Sequence, residues 1–307
     1  MYNVQSLVKD QWLDPDSSAS QLYDASTGEL IGSVGHKTLP FKEMLEFGRD
    51  SGGRSLREMG FHERAKLIKA VAVYLEQNKK ELYDISYNTG ATKPDSMIDI
   101  DGGITTMLVF ASKGRREMPD GKIYVDGAVE ELSRDGTFKG IHIATPLLGV
   151  AVHINAFNFP VWGMLEKLAP SWLAGVPVIV KPASQTSYLT EAVVKLIDQS
   201  GIVPKGAIQM IGGAVGNLFD HLTAQDVVSF TGSEATANKL RSHPNILKNS
   251  IRFIGEQDSL NGTILGQDII TEDQDFEVFI KEIIREMTVK AGQKCTAIRR
   301  IFVPIKM

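Results

Sequence analysis

Between Gly149 and Glu256, short apolar runs rich in β-branched residues alternate with helical segments. GVAVHIN precedes FPVWGMLEKLAPSWLAG, VPVIVKPA precedes TSYLTEAVVKLIDQSG, and AIQMIGG precedes a short helix in VGNLFDHLTA. DVVSFTGS precedes EATANKLRSH, and SIRFIGE closes the series. Runs that are apolar at consecutive positions need cover on both faces, and strands separated by helices supply that cover only in a parallel sheet. The pattern predicts an α/β fold built on a Rossmann-like, doubly wound parallel sheet. Ligands on such sheets bind beyond the carboxyl ends of the strands. The informative residues are therefore Asn155 to Pro160, Lys181 to Ser184, Gly212 and Gly213, Thr231 to Ser233, and Glu256.

Ahead of this series, FHERAKLIKAVAVYLEQNKKELYDISYNTG places Leu67, Ala70, Val71, Tyr74 and Leu75 at helical spacing, with Gly90 as a stop. A second helix is expected through Ile104, Met107, Leu108 and Ala111. Between Gly121 and Pro146 the period changes to two, and IYVDGAVEELS and TFKGIHIATP flank the turn-forming pair Asp135-Gly136. This predicts a projecting hairpin, 121–147, whose poorly covered faces suit pairing with another subunit.

The net charge of −4 has no long run of one sign behind it, which excludes the electrostatic footprint of a nucleic-acid binder. No segment approaches the roughly 20 apolar residues of a membrane span, and the first residues lack the basic start and apolar run of a secretory signal. A cytoplasmic protein with a small-molecule partner is expected. The single cysteine, Cys295, forbids an intramolecular disulfide and a cysteine zinc cluster, and the six histidines show neither HxxxH nor HxxH spacing, so no metal site is expected.

Several strand ends carry residues with chemical capability. Asn158 reads either as a helix N-cap or as an amide donor to a developing oxyanion. Lys181 ends a buried strand, where a lysine is costly unless it meets an anion or hydroxyls. SFTGSEAT brings a hydroxyl and backbone amides to a helix start, an arrangement that suits phosphate. No GxGxxG occurs, and IGGAVG does not fit that spacing. Of Glu256 and Asp258, one reads as a solvated loop acid. Cys295, in TVKAGQKCTAIRR, is either a small core residue or a working thiol.

The order NAFNFP, VKPAS, FTGS, a lone glutamate and GQKCTA, spread from about Phe61 to Pro304, resembles the aldehyde dehydrogenase superfamily. The phrases GVAVHINAFNFPVWGMLEKLAP, EQDSLN and REMTVKAGQKCTAIRRIFVP are similar to the subgroup that oxidises CoA-linked semialdehydes in bacterial phenylacetate and benzoyl-CoA degradation. The resemblance implies Cys295 as nucleophile, Glu256 as general base, and Asn158 with the Cys295 backbone N–H as oxyanion donors. It places Lys181 and Ser184 at the adenosine ribose and Ser233 at the pyrophosphate, with Gly232, Asn155 and Phe157 completing the cofactor set. The implied reaction takes an aldehyde through a thiohemiacetal and a thioester to the acid. A CoA-acylating enzyme and a non-catalytic nucleotide-binding or oligomerising piece are the alternatives.

Some residues depart from the family pattern. PWNFP is AFNFP here, and GEQDSLN replaces the usual ELGG around the base. Ser184 replaces a glutamate that would bind the 2′-OH of NAD and repel a 2′-phosphate, so NADP, or tolerance of both NADP and NAD, is expected. The resemblance divides the chain into a cofactor-binding unit (1–120 and 148–262), the hairpin (121–147) and the start of a catalytic unit (263–307). It also implies an N-terminal portion of a longer enzyme, one that forms a homo-oligomer at full length.

Overall fold

The computed structural model describes residues 1–16, 18–36 and 38–305. The chain opens with short strands: β1 (Tyr2–Val4), β2 (Ser6–Val8), β3 (Gln11–Leu13), β4 (Ser20–Tyr23) and β5 (Leu30–Val34). Helices follow: α1 (Phe41–Phe47), α2 (Gly53–Glu58), α3 (Phe61–Asn78), α4 (Lys80–Ser86) and α5 (Lys93–Arg116). Strands β6 (Tyr124–Glu131) and β7 (Lys139–Ala144) form the ribbon. The alternating series then runs β8 (Ala151–Ile154), α6 (Trp162–Leu173), β9 (Val178–Lys181), α7 (Ser187–Gln199), β10 (Ile208–Met210), β11 (Val227–Thr231), α8 (Glu234–Arg241), α9 (Pro244–Lys248) and β12 (Arg252–Glu256). The last elements are β13 (Asn261–Ile264), α10 (Gln274–Thr288) and β14 (Ile298–Phe302).

The main sheet has the order β12-β11-β8-β9-β10-β2-β3. Its first five strands are parallel, as the apolar runs predict, and β2 and β3 extend it antiparallel beyond β10. The chain steps outward from β8 through β9 to β10, then crosses back to place β11 on the other side of β8. That reversal opens a crevice between the carboxyl ends of β8 and β11, where such sheets bind ligands. Successive strand residues feed opposite cores. Val178 and Val180 pack with α3, α5, α6 and α7, whereas Ile179 packs with residues of α1, α8 and α9.

The helix expected across residues 61–89 is interrupted. Asn78 turns its amide onto the Tyr74 carbonyl at 2.8 Å, Lys79 adopts ψ −10°, and α4 starts anew before Gly90 stops the chain in the left-handed region at φ 79°. The ribbon forms as expected, but residues 132–138 connect its strands: Glu131 pairs with Lys139, and a turn from Ser133 to Gly136 sits within the loop. Its Val129, Phe138 and Ile143 are more than half exposed. The short helix expected in VGNLFDHLTA is a single 3₁₀ turn, Leu218–His221.

Two adjacent glycines in the middle of α5 position α6. A Cβ on Gly102 would lie 2.6 Å from the Trp162 ring and one on Gly103 2.9 Å from the Trp162 Cα. Only glycine lets the start of α6 come this close. Asp99, one turn earlier on α5, then accepts hydrogen bonds from Trp162 N at 2.8 Å and Val161 N at 3.3 Å. Its fully buried carboxylate thus caps the N-terminus of a helix on another element. Burial pushes Asp99 up to about 6, against the opposing pull of Lys290 and these two amides.

Candidate active site

Because Asp99 caps α6 and the helix begins only at Trp162, Asn158 is not an N-cap. Its Nδ2 instead donates to the Gln293 carbonyl at 2.7 Å, joining the β8–α6 loop to the segment that carries Cys295. An amide nitrogen carries two protons, so this bond leaves one available.

Cys295 follows three residues in the left-handed region: Lys290 (φ 55°), Ala291 (φ 52°) and Gly292 (φ 70°). Left-handed non-glycine residues cost of order 1 kcal/mol each and persist only where their surroundings hold them. Here the buried Lys290 supplies the restraint. Its N–H donates to Asp95 Oδ1 at 2.8 Å, and its Nζ stands 5.1 Å from the centre of the Phe159 ring, next to Asn158. The other oxygen of Asp95 takes part in a capping box with Thr92 at the start of α5. On the far side, Ser259 Oγ and Asn261 Nδ2 both donate to the Cys295 carbonyl, the latter at 2.5 Å. The unusual wording GEQDSLN therefore ties the Glu256 loop to the cysteine loop. Cys295 itself is exposed.

Glu256 ends β12, with its Oε2 receiving the Thr231 hydroxyl at 3.3 Å. The Thr231 oxygen accepts from Lys167 Nζ at 2.6 Å, and Lys167 also reaches Asn155 Oδ1 at 3.1 Å across the β8–β11 crevice. Burial pushes the Lys167 ammonium down, and Glu166 and Glu256 pull it back. Burial raises Glu166, Lys167 opposes the rise, and Glu256 adds to it. Thr231 was among the strand-end residues marked in the sequence, but none of Lys167, Lys290, Ser259 and Asn261 stood out there. Only Lys167, which with Glu166 puts charge in the middle of a largely apolar helix, offered a signal.

Two cavities meet at these residues. One, of about 650 Å³, is lined by all nine residues to which the family resemblance assigns a role: Asn155, Phe157, Asn158, Lys181, Ser184, Gly232, Ser233, Glu256 and Cys295; Gly212 and Gly213, also marked at a strand end, do not line it. The other, of about 530 Å³, shares Asn158, Thr231, Glu256 and Cys295 with it and continues past Phe159, Trp162 and Lys167. In the larger cavity burial lowers the Lys181 ammonium, which has no hydrogen-bond or ion-pair partner among the described residues. Asn155 is 5% exposed, and its Nδ2 also lacks a partner among the described residues. A ligand offering hydroxyls or anionic oxygens fits this lining.

The aldehyde dehydrogenase family model matches residues 12–307. The chain belongs to the aldehyde dehydrogenase family. Among curated aldehyde dehydrogenases it is 44% identical over 302 residues to the 3,4-dehydroadipyl-CoA semialdehyde dehydrogenase of Aromatoleum evansii, covering 98% of this chain and 58% of that protein. It is 24% identical to the NADP(+) D-glyceraldehyde dehydrogenase of Thermoplasma acidophilum, covering 96% of this chain and 57% of the relative. Its fold matches that of NADP-dependent glyceraldehyde-3-phosphate dehydrogenase from Bacillus halodurans complexed with NADP, with a TM-score of 0.80 at 24% identity, over 100% of this chain and 62% of the other. Betaine aldehyde dehydrogenase of Staphylococcus aureus in complex with NAD+ matches with a TM-score of 0.82 at 21% identity, over 99% and 59%. The chain thus spans about three fifths of the length of these relatives. Among the described residues, no helix is long and apolar enough to cross a membrane and no cluster of three acidic, histidine or cysteine side chains could hold a metal.

Proposed function

We propose that the protein serves NAD(P)-dependent oxidation of an aldehyde to its carboxylic acid, with a CoA-linked semialdehyde as the substrate class. The observation that carries this reading is the convergence of Cys295, Glu256 and Asn158 where the two cavities meet. The 44% identity to a CoA-semialdehyde dehydrogenase supports the substrate class.

Lys181, Ser184, Asn155, Phe157, Gly232 and Ser233 would hold the dinucleotide in the larger cavity, which, when bound, supplies the acceptor for the hydride that the substrate carbon gives up. Ser184 brings no carboxylate against a 2′-phosphate, which favours NADP. The smaller cavity would take the aldehyde. The Cys295 thiol gives up its proton to the solvent it is exposed to, and the sulfur adds to the carbonyl carbon. The free N–H of Asn158 and the Cys295 backbone N–H donate to the resulting oxyanion, and losing one such donor costs about 100- to 1,000-fold in rate. The acyl group is left as a thioester on Cys295. Glu256, which accepts from the Thr231 hydroxyl that Lys167 orients, takes a proton from the water that releases the acid. The dinucleotide-holding unit is residues 1–120 and 148–262, the catalytic unit starts at 263–307, and the exposed apolar residues of the ribbon, 121–147, suit contact with a second copy.

The test is turnover of a CoA-linked semialdehyde by the purified protein with NADP+, followed by reduced-nicotinamide absorbance and identification of the product. Free acid is expected, with activity lost on Cys295→Ala. No turnover, turnover that survives the substitution, or acyl-CoA as product would overturn the reading.

A further inference from the structure

Three backbone amides around the start of α8, the part of the larger cavity suited to a diphosphate, are already engaged. Gly232 N–H donates to the Glu256 carbonyl at 3.1 Å, and Thr236 N–H donates to Ser233 Oγ at 3.3 Å. The first amide of the helix, Glu234 N–H, donates to Asp258 Oδ2 at 2.9 Å. Of these three acceptors only Asp258 is an anion. It is exposed, and it stands on the loop between β12 and β13. A carboxylate is at its most favourable at a helix N-terminus, which is also the place that favours a phosphate.

Asp258 lines the same cavity as Lys181 and Asn155, yet it pairs with neither. The desolvated Lys181 ammonium and the buried Asn155 amide remain without partners among the described residues, so the cavity presents unmet donors on one wall and a self-supplied anion on another.

We propose that Asp258 is an internal stand-in for the diphosphate bridge of the dinucleotide. It occupies the terminal amide of α8 in the free protein, yields that amide when the cofactor binds, and so sets how tightly the diphosphate part is held. The proposal rests on the reading of this cavity as the dinucleotide site. Two like charges about 4 Å apart repel enough, even at the dielectric of bulk water, to weaken binding about fivefold. Lower local polarity enlarges the effect, and salt diminishes it.

Calorimetric titration of the 307-residue chain and its Asp258→Asn variant with adenosine, ADP and NADP+ tests the proposal. Asparagine keeps an oxygen for Glu234 N–H, so the start of α8 retains its cap and the thermal midpoint should stay unchanged. The variant is expected to bind ADP and NADP+ at least about fivefold more tightly than the parent, a gain that shrinks with salt, and to bind adenosine equally. Equal ADP affinity in the two chains, or one uniform change across all three ligands, would overturn the role of Asp258 and leave the cofactor site standing. Absence of binding by either chain would overturn the cofactor reading and the proposal with it.

Discussion

The buried Asp99 makes stability depend on pH in a way that a single substitution can expose. Its carboxyl is raised from the ordinary 3.8 to about 6, because burial outweighs the help of Lys290 and the two α6 amides. A carboxyl whose folded pKa is raised binds more protons in the native state than in the unfolded one, so stability is lost as pH climbs from about 4 to about 6. The linkage relation gives a loss of about 2 kcal/mol at pH 5 and about 3 kcal/mol at pH 7.5, relative to a neutral group. Asp99→Asn removes the titration. The variant adds a fixed cost for placing an amide in the pocket, but that offset is the same at every pH and cancels in the comparison. Urea unfolding followed by tryptophan fluorescence should therefore show the variant gaining about 1 kcal/mol on the parent between pH 5 and pH 7.5. Parallel pH profiles would refute the reasoning and mean that Lys290 and the α6 amides balance the burial of the charge in full.

Three further outcomes follow from contacts described above. Gly103→Ala pushes a methyl to within 2.9 Å of the Trp162 Cα. Overpacking of about 3 kcal/mol, offset by about 1 kcal/mol of helix propensity, leaves a net loss of about 2 kcal/mol in urea unfolding. Asn261→Ala removes a donor to the Cys295 carbonyl. At about 1 kcal/mol per hydrogen bond, amide exchange in the peptide 293–297 should accelerate about fivefold, measured by mass spectrometry, without a change at the ribbon. Ser184→Glu places a carboxylate where the 2′ position of the cofactor is proposed to lie, and should shift kcat/KM toward NAD by at least about tenfold over the parent. A parent that already favours NAD tenfold over NADP would contradict the reading of Ser184.

Of the five parallel strands, β8, β9 and β10 were legible because each is buried on both sides, a state that leaves an unbroken apolar run such as Val178, Ile179 and Val180, whereas β11 and the exposed edge strand β12 were placed by the alternation with helices. The strands of the first 34 residues were not. A three-residue strand has no periodicity of its own, and the partner of Leu7 is Met210. Helix α10 also escaped notice, although Phe276, Ile280, Ile283 and Met287 recur along it, because no strand alternation frames it. In the site, residues at strand ends could be named from chemistry and position alone. Lys290 could not, since its restraint of the cysteine loop depends on Asp95, which lies 195 residues earlier. Asn158 had two readings in the sequence, and Asp99 removes one of them, the helix cap, by taking over the capping of α6.

The pairing of β2 with β10 also bears on how the molecule is born. Leu7 sits opposite Met210, the Ser6 hydroxyl accepts from Gly212 N–H, and Gln5 N–H donates to Glu191. A ribosome working at about 5–20 residues per second keeps this first segment waiting for roughly 10–40 seconds before its partners emerge. Through that interval an apolar strand with open edges trails from the nascent chain, available to chaperones and to neighbouring copies on the same messenger. Docking of β2 against β10 must therefore wait until synthesis has passed β10, and crowding of translating ribosomes should lower the yield of folded protein.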